Sequence, residues 1–406
     1  MKRIHTLWLI PVIICLLGST AAADVVTDWN RHLLEALRLS NTPAQEATRI
    51  GAIVQAAVFD AVNGIEGRYS PIHVPPAMDR SASRRAAAIQ AAYGTMVVLF
   101  PSQRLVLDAK RKVSIDDLAR DGAASIAKGI EWGQKVADAI LLWRSTDGFT
   151  PPPPPFLGGN AVGQWRPTPP ALASGAGPQF ATMRPWVIPS PSSFRPAGPP
   201  ALNSSRYTQD FDEVKRMGSI SSTARTADQT LTAFFWASTT PVFLWNNVAA
   251  SLLEKRHTQL SESALVLAAM NVAMGDATIS CWDAKYTYVF WRPVTAIQLA
   301  SPTAADPTWT PPIATPAHPE YPSGHSCNSS AAAYVLAAYF GRSIPFTMES
   351  EVMIGVTRRF LGFAHATSEV KDARVFGGMH FRFSCDDGEK IGIDVARYVL
   401  EHAFQR

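Results

Sequence analysis

The sequence of 406 residues is poor in charge, and this shortage excludes one class of function. Only 17% of the residues are charged, the formal net charge is +4, and there is no run of lysine or arginine. A nucleic-acid-binding protein would need a basic patch or stripe, so we exclude nucleic acid as a partner. Since 47% of the residues are hydrophobic, the chain can bury a large core and is not expected to be disordered over its whole length.

Cysteine is also scarce, which excludes a protein built on disulfides. The sequence has four cysteines, and one of them lies in an N-terminal segment that we expect to be removed. The remaining Cys281, Cys327 and Cys385 are odd in number and widely spaced, so they do not form a disulfide framework. One bridge could form in an oxidising compartment, but the spacing does not say which two would pair. No cysteine has the spacing of a zinc site.

Residues 1–23 have the layout of a secretory signal peptide. Lys2 and Arg3 give a positive start, residues 7–17 are mostly apolar, and three alanines precede Asp24. A membrane anchor is the alternative, but the apolar run is too short to cross about 30 Å of hydrocarbon comfortably. Beyond this segment there is no run of eighteen uninterrupted apolar residues. We therefore expect a secreted or periplasmic protein that has no integral membrane segment after cleavage.

The rest of the chain divides into a helical part at 24–146, a proline- and glycine-rich arm at 147–205, and a second helical part at 206–406. Helix is excluded over most of the arm because proline lacks an amide and clashes with the preceding turn. Trp165, Phe180 and Trp186 are spaced through the arm, so we favour a segment packed on the helical body over a flexible linker. Alternating β-branched runs are few, which predicts few strands. Apolar spacing predicts helices over 50–65, 86–100, 124–142, 223–236, 243–253, 261–291, 326–340, 350–363 and 387–404.

The first segment that indicates chemistry contains two cations followed by a proline. Lys285 and Arg292 are seven residues apart, so on a helix they share one face, about 10 Å apart along the axis. Side chains of this length can converge on one anion from two sides. Pro293 disfavours helical geometry at Arg292 and places this arginine at a helix end. The alternative is a solvated face of an aromatic-rich helix.

The second segment is a Pro-Ser-Gly-His turn that leads into a run of small and apolar residues. A turn of this kind presents free backbone amides at the positive end of a helix, which is a ready anion site. Gly324 allows close approach of the backbone, Ser323 adds a hydroxyl donor, and His325 can exchange a proton near neutral pH. The alternative is a plain helix cap with an incidental histidine.

The third segment places Arg374 and His380 six residues apart, a poor match for one helical face. Gly377 and Gly378 lie between them and predict a bend before a final helix that begins near His380. The bend would let both side chains point into one cavity. The alternative is a buried structural histidine beside a surface arginine.

Taken together, the patterns K-x6-R-P, P-S-G-H and R-x5-H, in this order from Lys285 to His380, resemble the signature of the vanadium-dependent haloperoxidases and the type 2 phosphatidic acid phosphatase superfamily. The stretches that begin at Trp165 and Tyr321 are similar to the soluble bacterial haloperoxidase-like branch. The helical spacing of apolar residues and the resemblance together imply an all-α fold of one or two four-helix bundles. The extended arm would wrap the outside of the bundles.

The resemblance also implies roles for individual residues. His380 would be the axial ligand of vanadium or the nucleophile of a phosphatase, and His325 would be the acid–base group opposite it. His318, seven residues before His325, matches a histidine of the bromoperoxidases, which favours bromide or iodide over chloride; the alternative is a loop histidine. The implied donors to the oxygens of vanadate or phosphate are Lys285, Arg292, Arg374, Ser323 and the amide of Gly324.

The chain departs from the phosphatase pattern in two places. Ala373 stands where serine usually precedes the arginine, and Ser384 stands where an aspartate usually orients the histidine, four residues after it. Asp386 or a residue elsewhere would then orient His380. This departure weakens a phosphohistidine mechanism more than it weakens vanadate binding.

Three functions fit these motifs. The leading hypothesis is an exported vanadium-dependent haloperoxidase that uses vanadate, hydrogen peroxide and a halide. The second is a soluble acid phosphatase that hydrolyses a phosphomonoester through a phosphohistidine in the same pocket. The third is a non-catalytic oxyanion-binding protein.

Overall fold

The computed structural model describes residues 24–299, 305–350 and 352–406, so the predicted signal peptide lies outside the described residues. Within them the chain forms thirteen α-helices and one two-stranded sheet, which confirms the prediction of an all-α fold. The helices are α1 (Val25–Leu39), α2 (Ala44–Glu66), α3 (Arg84–Leu99), α4 (Arg104–Asp116), α5 (Ala123–Arg144), α6 (Ser205–Met217), α7 (Ala227–Ala237), α8 (Pro241–Lys255), α9 (Leu260–Tyr288), α10 (Pro293–Leu299), α11 (Gly324–Phe340), α12 (Phe363–Phe376) and α13 (Arg382–His402). The strands are β1 (Phe346–Glu349) and β2 (Thr357–Phe360).

Helix α9 is the centre of the structure. It packs against α2 on one side and against α11 and α13 on the other, so it belongs to two groups of helices at once. In the first group α2, α3 and α5 pack on one another, and in the second α11 packs on α13 and α12. Because α9 is covered all round, it carries no polar stripe. Among the described residues, α9 is the one helix long and apolar enough to cross a membrane, and every residue of its apolar window is buried inside the protein.

The prediction of a helix over 350–363 is wrong. This part of the chain belongs mostly to an antiparallel hairpin in which Phe346 pairs with Phe360 and Glu349 with Thr357. The first strand alternates in burial, with Phe346 and Met348 inward, which suits a strand that packs one face on the core. Gly355, at φ 80°, adopts a left-handed conformation between the strands that a helix would not contain. The next helix begins only at Phe363.

The segment between α5 and α6 has no α-helix and packs on the helical body. Trp165 and Phe180 are almost fully buried. The carboxylate of Asp276, in the middle of α9, accepts hydrogen bonds from the backbone amides of three consecutive residues that begin at Trp186. These contacts hold the arm against α9, where Ala176 reaches the cavity described below.

Candidate functional site

Lys285 and Arg292 lie at the end of the central helix and are both completely buried, so they do not form a solvated face. Helix α9 ends at Tyr288 because Val289 takes a left-handed conformation, with φ 48°, and its amide closes the last turn on the carbonyl of Lys285. The chain then passes Arg292 before Pro293 starts the short helix α10. The arginine is therefore at a helix boundary, as the proline predicted.

The ammonium group of Lys285 is already surrounded by backbone carbonyls. Its Nζ donates hydrogen bonds to the carbonyl oxygens of Pro319 at 2.9 Å, Glu320 at 3.0 Å and Pro322 at 2.5 Å. Burial lowers the pKa of Lys285 to about 8. The lysine thus holds the segment that precedes α11 in place, and it contributes positive charge rather than free N–H donors.

Ser323 and Gly324 begin helix α11 at the cavity. Ser323 is the N-cap, and its hydroxyl accepts a hydrogen bond from the amide of Ser326 at 3.4 Å. The amides of the first turn of a helix have no acceptor within the helix, so those that follow Ser323 can bind an anion. A β-carbon on Gly324 would lie 3.2 Å from the ring of Trp282, which explains the glycine at this position. The anion site predicted at this turn is therefore geometrically available.

A tight turn brings Arg374 and His380 together although they are six residues apart. Arg374 lies in the last turn of α12, which ends at Phe376, and Gly378 follows with φ 69°. The amide of Met379 returns to the carbonyl of Arg374 at 3.0 Å, so the chain reverses before α13 begins. Both side chains line one cavity, as the two glycines predicted.

Arg374 has donors that the protein does not use. Its side chain is nearly fully buried, yet Nε and Nη1 have no hydrogen-bond partner among the described residues. Burial lowers the pKa of Arg374, and the groups that perturb this pKa include no carboxylate. A buried, unpaired guanidinium is unfavourable unless a ligand completes it, so this arginine is built to receive an anion.

His380 has one tautomer that satisfies both ring nitrogens. Burial, followed by the charges of Arg292 and Lys285, lowers the pKa of His380 well below its usual value, so the ring is neutral. Its Nε2 lies 3.2 Å from Nη1 of Arg292, which can only donate, and its Nδ1 lies 2.9 Å from Oε1 of Glu320. The proton is therefore on Nδ1, and Nε2 keeps its lone pair on the side of the cations.

The carboxylate that contacts His380 is Glu320, which the sequence motifs did not assign. Glu320 is completely buried, and burial raises its pKa to about 7. Ser384, which stands where an aspartate was expected, donates its hydroxyl to Oε2 of Glu320 at 2.5 Å. Asp386, the candidate that the sequence offered, instead pairs with Arg206 and Lys371 at the surface and does not orient the ring. One signal was available, because an acid between two prolines next to the glycine turn is unusual.

His325 lines the same cavity with a free nitrogen. Burial and the charge of Arg374 lower its pKa well below the usual value, while a hydrogen bond to the backbone of Trp236 opposes this shift. Nε2 has no partner among the described residues. A neutral imidazole bonded to a carbonyl through its other nitrogen has a free lone pair at Nε2, which suits a general base.

The predicted halide-selectivity residue, His318, also lines the cavity, which has a volume of about 440 Å³. Its ring packs against Trp282 with centroids 5.1 Å apart, and its Nδ1 lies 3.0 Å from Nη2 of Arg292. Burial and the neighbouring cations lower the pKa of His318 well below its usual value, and its Nδ1 also lies 3.1 Å from the carbonyl oxygen of Pro319. The arm residues Ala176 and Gly177 complete the wall, so the extended segment does form part of the pocket.

The three cysteines take no part in this cavity. Cys281, Cys327 and Cys385 are free and buried in the structure. In the described part of the chain there is no group of three or more histidine, cysteine, aspartate or glutamate side chains that could hold a metal ion. The residues present instead fit an oxyanion whose central atom one imidazole can ligate, because the unpaired donors of Arg374 and the unprotonated Nε2 of His380 belong to the same cavity. Vanadate has this combination of properties.

The fold and the site define a helical-bundle protein with a buried oxyanion cavity. The family model of the second helical-bundle domain of vanadium chloroperoxidase matches residues 265–406. The crystal structure of a bacterial vanadium-dependent iodoperoxidase is similar over 94% of this chain and 97% of that chain, with a TM-score of 0.84 and 27% identity. Together these matches support the assignment of the chain to the vanadium haloperoxidase superfamily.

Two further relatives set the range of this similarity. The vanadium chloroperoxidase of Curvularia inaequalis is 28% identical over 178 residues, which cover 36% of this chain and only 29% of that protein. The holo-type bacterial vanadium-dependent chloroperoxidase has a TM-score of 0.71 over 88% of this chain and 91% of that chain, and at 17% identity it shares the fold. Relatives in this superfamily imply a vanadate cofactor, and the donors described above fit that group.

Proposed function

We propose that this protein is a vanadium-dependent haloperoxidase that oxidises bromide or iodide with hydrogen peroxide. The observation that carries the proposal is the state of the two catalytic histidines, His380 and His325. Both rings are neutral. Nε2 of His380 carries a lone pair that accepts only from Arg292, so His380 can ligate a metal, and Nε2 of His325 has no partner among the described residues, so His325 can accept a proton.

Each residue of the site would have a distinct role in the reaction. When bound, vanadate supplies a Lewis-acidic centre on which peroxide is activated toward halide. His380 would hold it through Nε2, and His325 would take the proton that hydrogen peroxide releases. Buried donors with little freedom to reorganise stabilise charge on the anion more strongly than water does. Arg374, Ser323 and the amide of Gly324 would donate hydrogen bonds to its oxygens, while Lys285 and Arg292, whose donors bond to the protein, would attract the anion by their buried charge.

Bromide and iodide are proposed because of the residue at the cavity wall. His318 lies against Arg292 and lines the cavity, so the wall carries a polar imidazole rather than an apolar ring at this position. The similar iodoperoxidase structure supports the same choice. His318→Phe should lower the rate of bromide and iodide oxidation more than it changes vanadate affinity. An unchanged halide preference would remove His318 from the selectivity role.

A paired assay tests the proposal. Apo-protein reconstituted with vanadate is assayed for halogenation of a phenol dye with peroxide and each halide, and the same apo-protein without vanadate is assayed on p-nitrophenyl phosphate. We expect vanadate-dependent bromination and iodination that is lost in His380→Ala and retained in His402→Ala, an exposed histidine at the end of α13. Phosphatase turnover without halogenation would establish the acid phosphatase instead. Tight phosphate binding with neither activity would indicate a non-catalytic protein.

We also propose that the enzyme acts outside the cytoplasm. The positive start, apolar run and small residues of 1–23 support this proposal. Fractionation of cells that express the full chain should place the processed protein in the periplasm or medium. Full-length protein retained in the cytoplasm would contradict it.

A further inference from the structure

Glu320 is a buried acid whose position beside an anion site calls for an explanation. Its side chain is completely inaccessible to solvent, and the charges that act on it are those of Arg292 and Lys285. A negative charge here opposes the binding of an anion, so by charge alone the site would be better without it. The residue must therefore contribute something that offsets this repulsion.

Among the described residues, the polar contacts of the Glu320 side chain all lead to the segment that carries His380. Oε1 accepts hydrogen bonds from Nδ1 of His380 at 2.9 Å and from the amide of Phe381 at 3.0 Å. Oε2 accepts the hydroxyl of Ser384 at 2.5 Å. The backbone of Glu320 is fixed as well, because its amide donates to Phe290 and its carbonyl accepts from Lys285.

We propose that Glu320 is a positioning residue that fixes the ring orientation and tautomer of His380, and that Ser384 holds the Glu320 carboxylate in place. The carboxylate thus reaches the histidine from 60 residues upstream, while the position four residues downstream carries its hydroxyl donor. A carboxylate on Nδ1–H directs Nε2 toward the ligand and makes it a better donor to a metal. The inference rests on the proposed function, in which His380 ligates vanadium.

Glu320→Gln tests this role because two anions should respond in opposite directions. Vanadate binding needs a bond from His380, so its Kd should rise about tenfold or more when the neutral amide replaces the carboxylate. Phosphate binds through the cations, and loss of the nearby negative charge should leave its Kd unchanged or lower it. The ratio of the vanadate Kd to the phosphate Kd, measured by calorimetry on apo-protein, should therefore rise about tenfold. Parallel weakening of both anions would show a merely structural role and overturn the proposal.

A relocated carboxylate and a matched control sharpen the test. In the double variant Glu320→Gln/Ser384→Asp the acid stands four residues after His380, and the Kd ratio should return toward the wild-type value. Asp387→Asn removes another partly buried carboxylate on α13, one that accepts a hydrogen bond from Tyr321, and it should leave the ratio unchanged. A ratio that rises equally in Asp387→Asn would overturn the proposal.

Nitrogen-15 spectra of the histidine rings separate this inference from the proposed function. In the wild type His380 should show the Nδ1–H tautomer with a downfield proton, and this proton should move upfield in Glu320→Gln because a charge-assisted bond is lost. A wild type that binds vanadate no better than phosphate would refute the vanadium assignment but leave this spectral test intact. A His380 spectrum that is identical in wild type and Glu320→Gln would refute the role of Glu320.

Discussion

The two buried cations Arg374 and Lys285 should respond to substitution in different ways, because their hydrogen bonding to the described residues differs. Nε and Nη1 of Arg374 lack acceptors among the described residues, whereas Nζ of Lys285 donates to three carbonyl oxygens. Arg374→Met therefore removes an unpaired buried charge and no intramolecular bond. Lys285→Met leaves buried carbonyls without their donor.

The magnitudes follow from these contacts. Two hydrogen bonds from a charged donor are worth about 3–6 kcal/mol, so Arg374→Met should weaken phosphate and vanadate binding about 10²–10⁴-fold. The free energy of unfolding of the apo-protein should stay the same or rise by about 1 kcal/mol, since an apolar side chain replaces an unpaired buried charge. Lys285→Met should also lose anion binding, but it should lower the free energy of unfolding by about 2–4 kcal/mol because unsatisfied carbonyls remain.

Urea unfolding of dialysed apo-protein and calorimetric titration with phosphate measure the two quantities separately. Each variant is compared with wild type in the same anion-free buffer, because a bound anion would stabilise the wild type by mass action. The reasoning is refuted if Arg374→Met destabilises the apo-protein as much as Lys285→Met does. It is equally refuted if Arg374→Met keeps phosphate affinity within about threefold of wild type, since two charged hydrogen bonds cannot be worth so little.

Three other predictions concern the same region. Burial lowers the pKa of Lys285 to about 8, so its charge is present below this pH and lost above it. Phosphate affinity, measured by titration, should therefore fall about tenfold per pH unit above pH 8. Lys285→Met should flatten that slope. Gly324→Ala should displace the ring of Trp282 and raise the phosphate Kd about tenfold in a calorimetric titration. An unaltered Kd would show that this contact does not affect anion binding. Asp276→Asn should release the arm, and hydrogen exchange should show faster exchange of the Trp186 amide. Asp60, in α2, also accepts hydrogen bonds from three backbone amides, so Asp60→Asn is a matched control that should leave the Trp186 amide protected.

The parts of the site that depend on local sequence could be predicted. The proline after Arg292, the Ser323 cap and the glycine pair at 377–378 each restrict the backbone within a few residues, so their effect does not depend on the rest of the fold. In each case the structure has the predicted turn or helix end. The resemblance then related segments that local reasoning could not connect.

The parts that depend on distant contacts could not be predicted. Glu320 and His380 are 60 residues apart, and nothing in either segment fixes their separation in space. The helix predicted over 350–363 is wrong because short apolar runs fit both periods, and the packing of Phe346 on Phe360 favours the hairpin of β1 and β2. The three carbonyl oxygens that bind Nζ of Lys285 could not be predicted either, because they belong to the backbone of a distant segment and motifs identify only side chains.

The contrast between satisfied and unsatisfied cations explains how a buried cluster of positive charge can exist in a stable fold. Lys285 and Arg292 are bonded to carbonyls and are therefore part of the scaffold, whereas Arg374 is left with free donors. A site in which all three were unpaired would carry a large desolvation penalty before any ligand arrived. Concentrating the unpaired donors on one residue confines that penalty and leaves one strong contact for the anion. Glu320 extends the same logic, because it offsets positive charge in the free protein while its geometry is committed to His380.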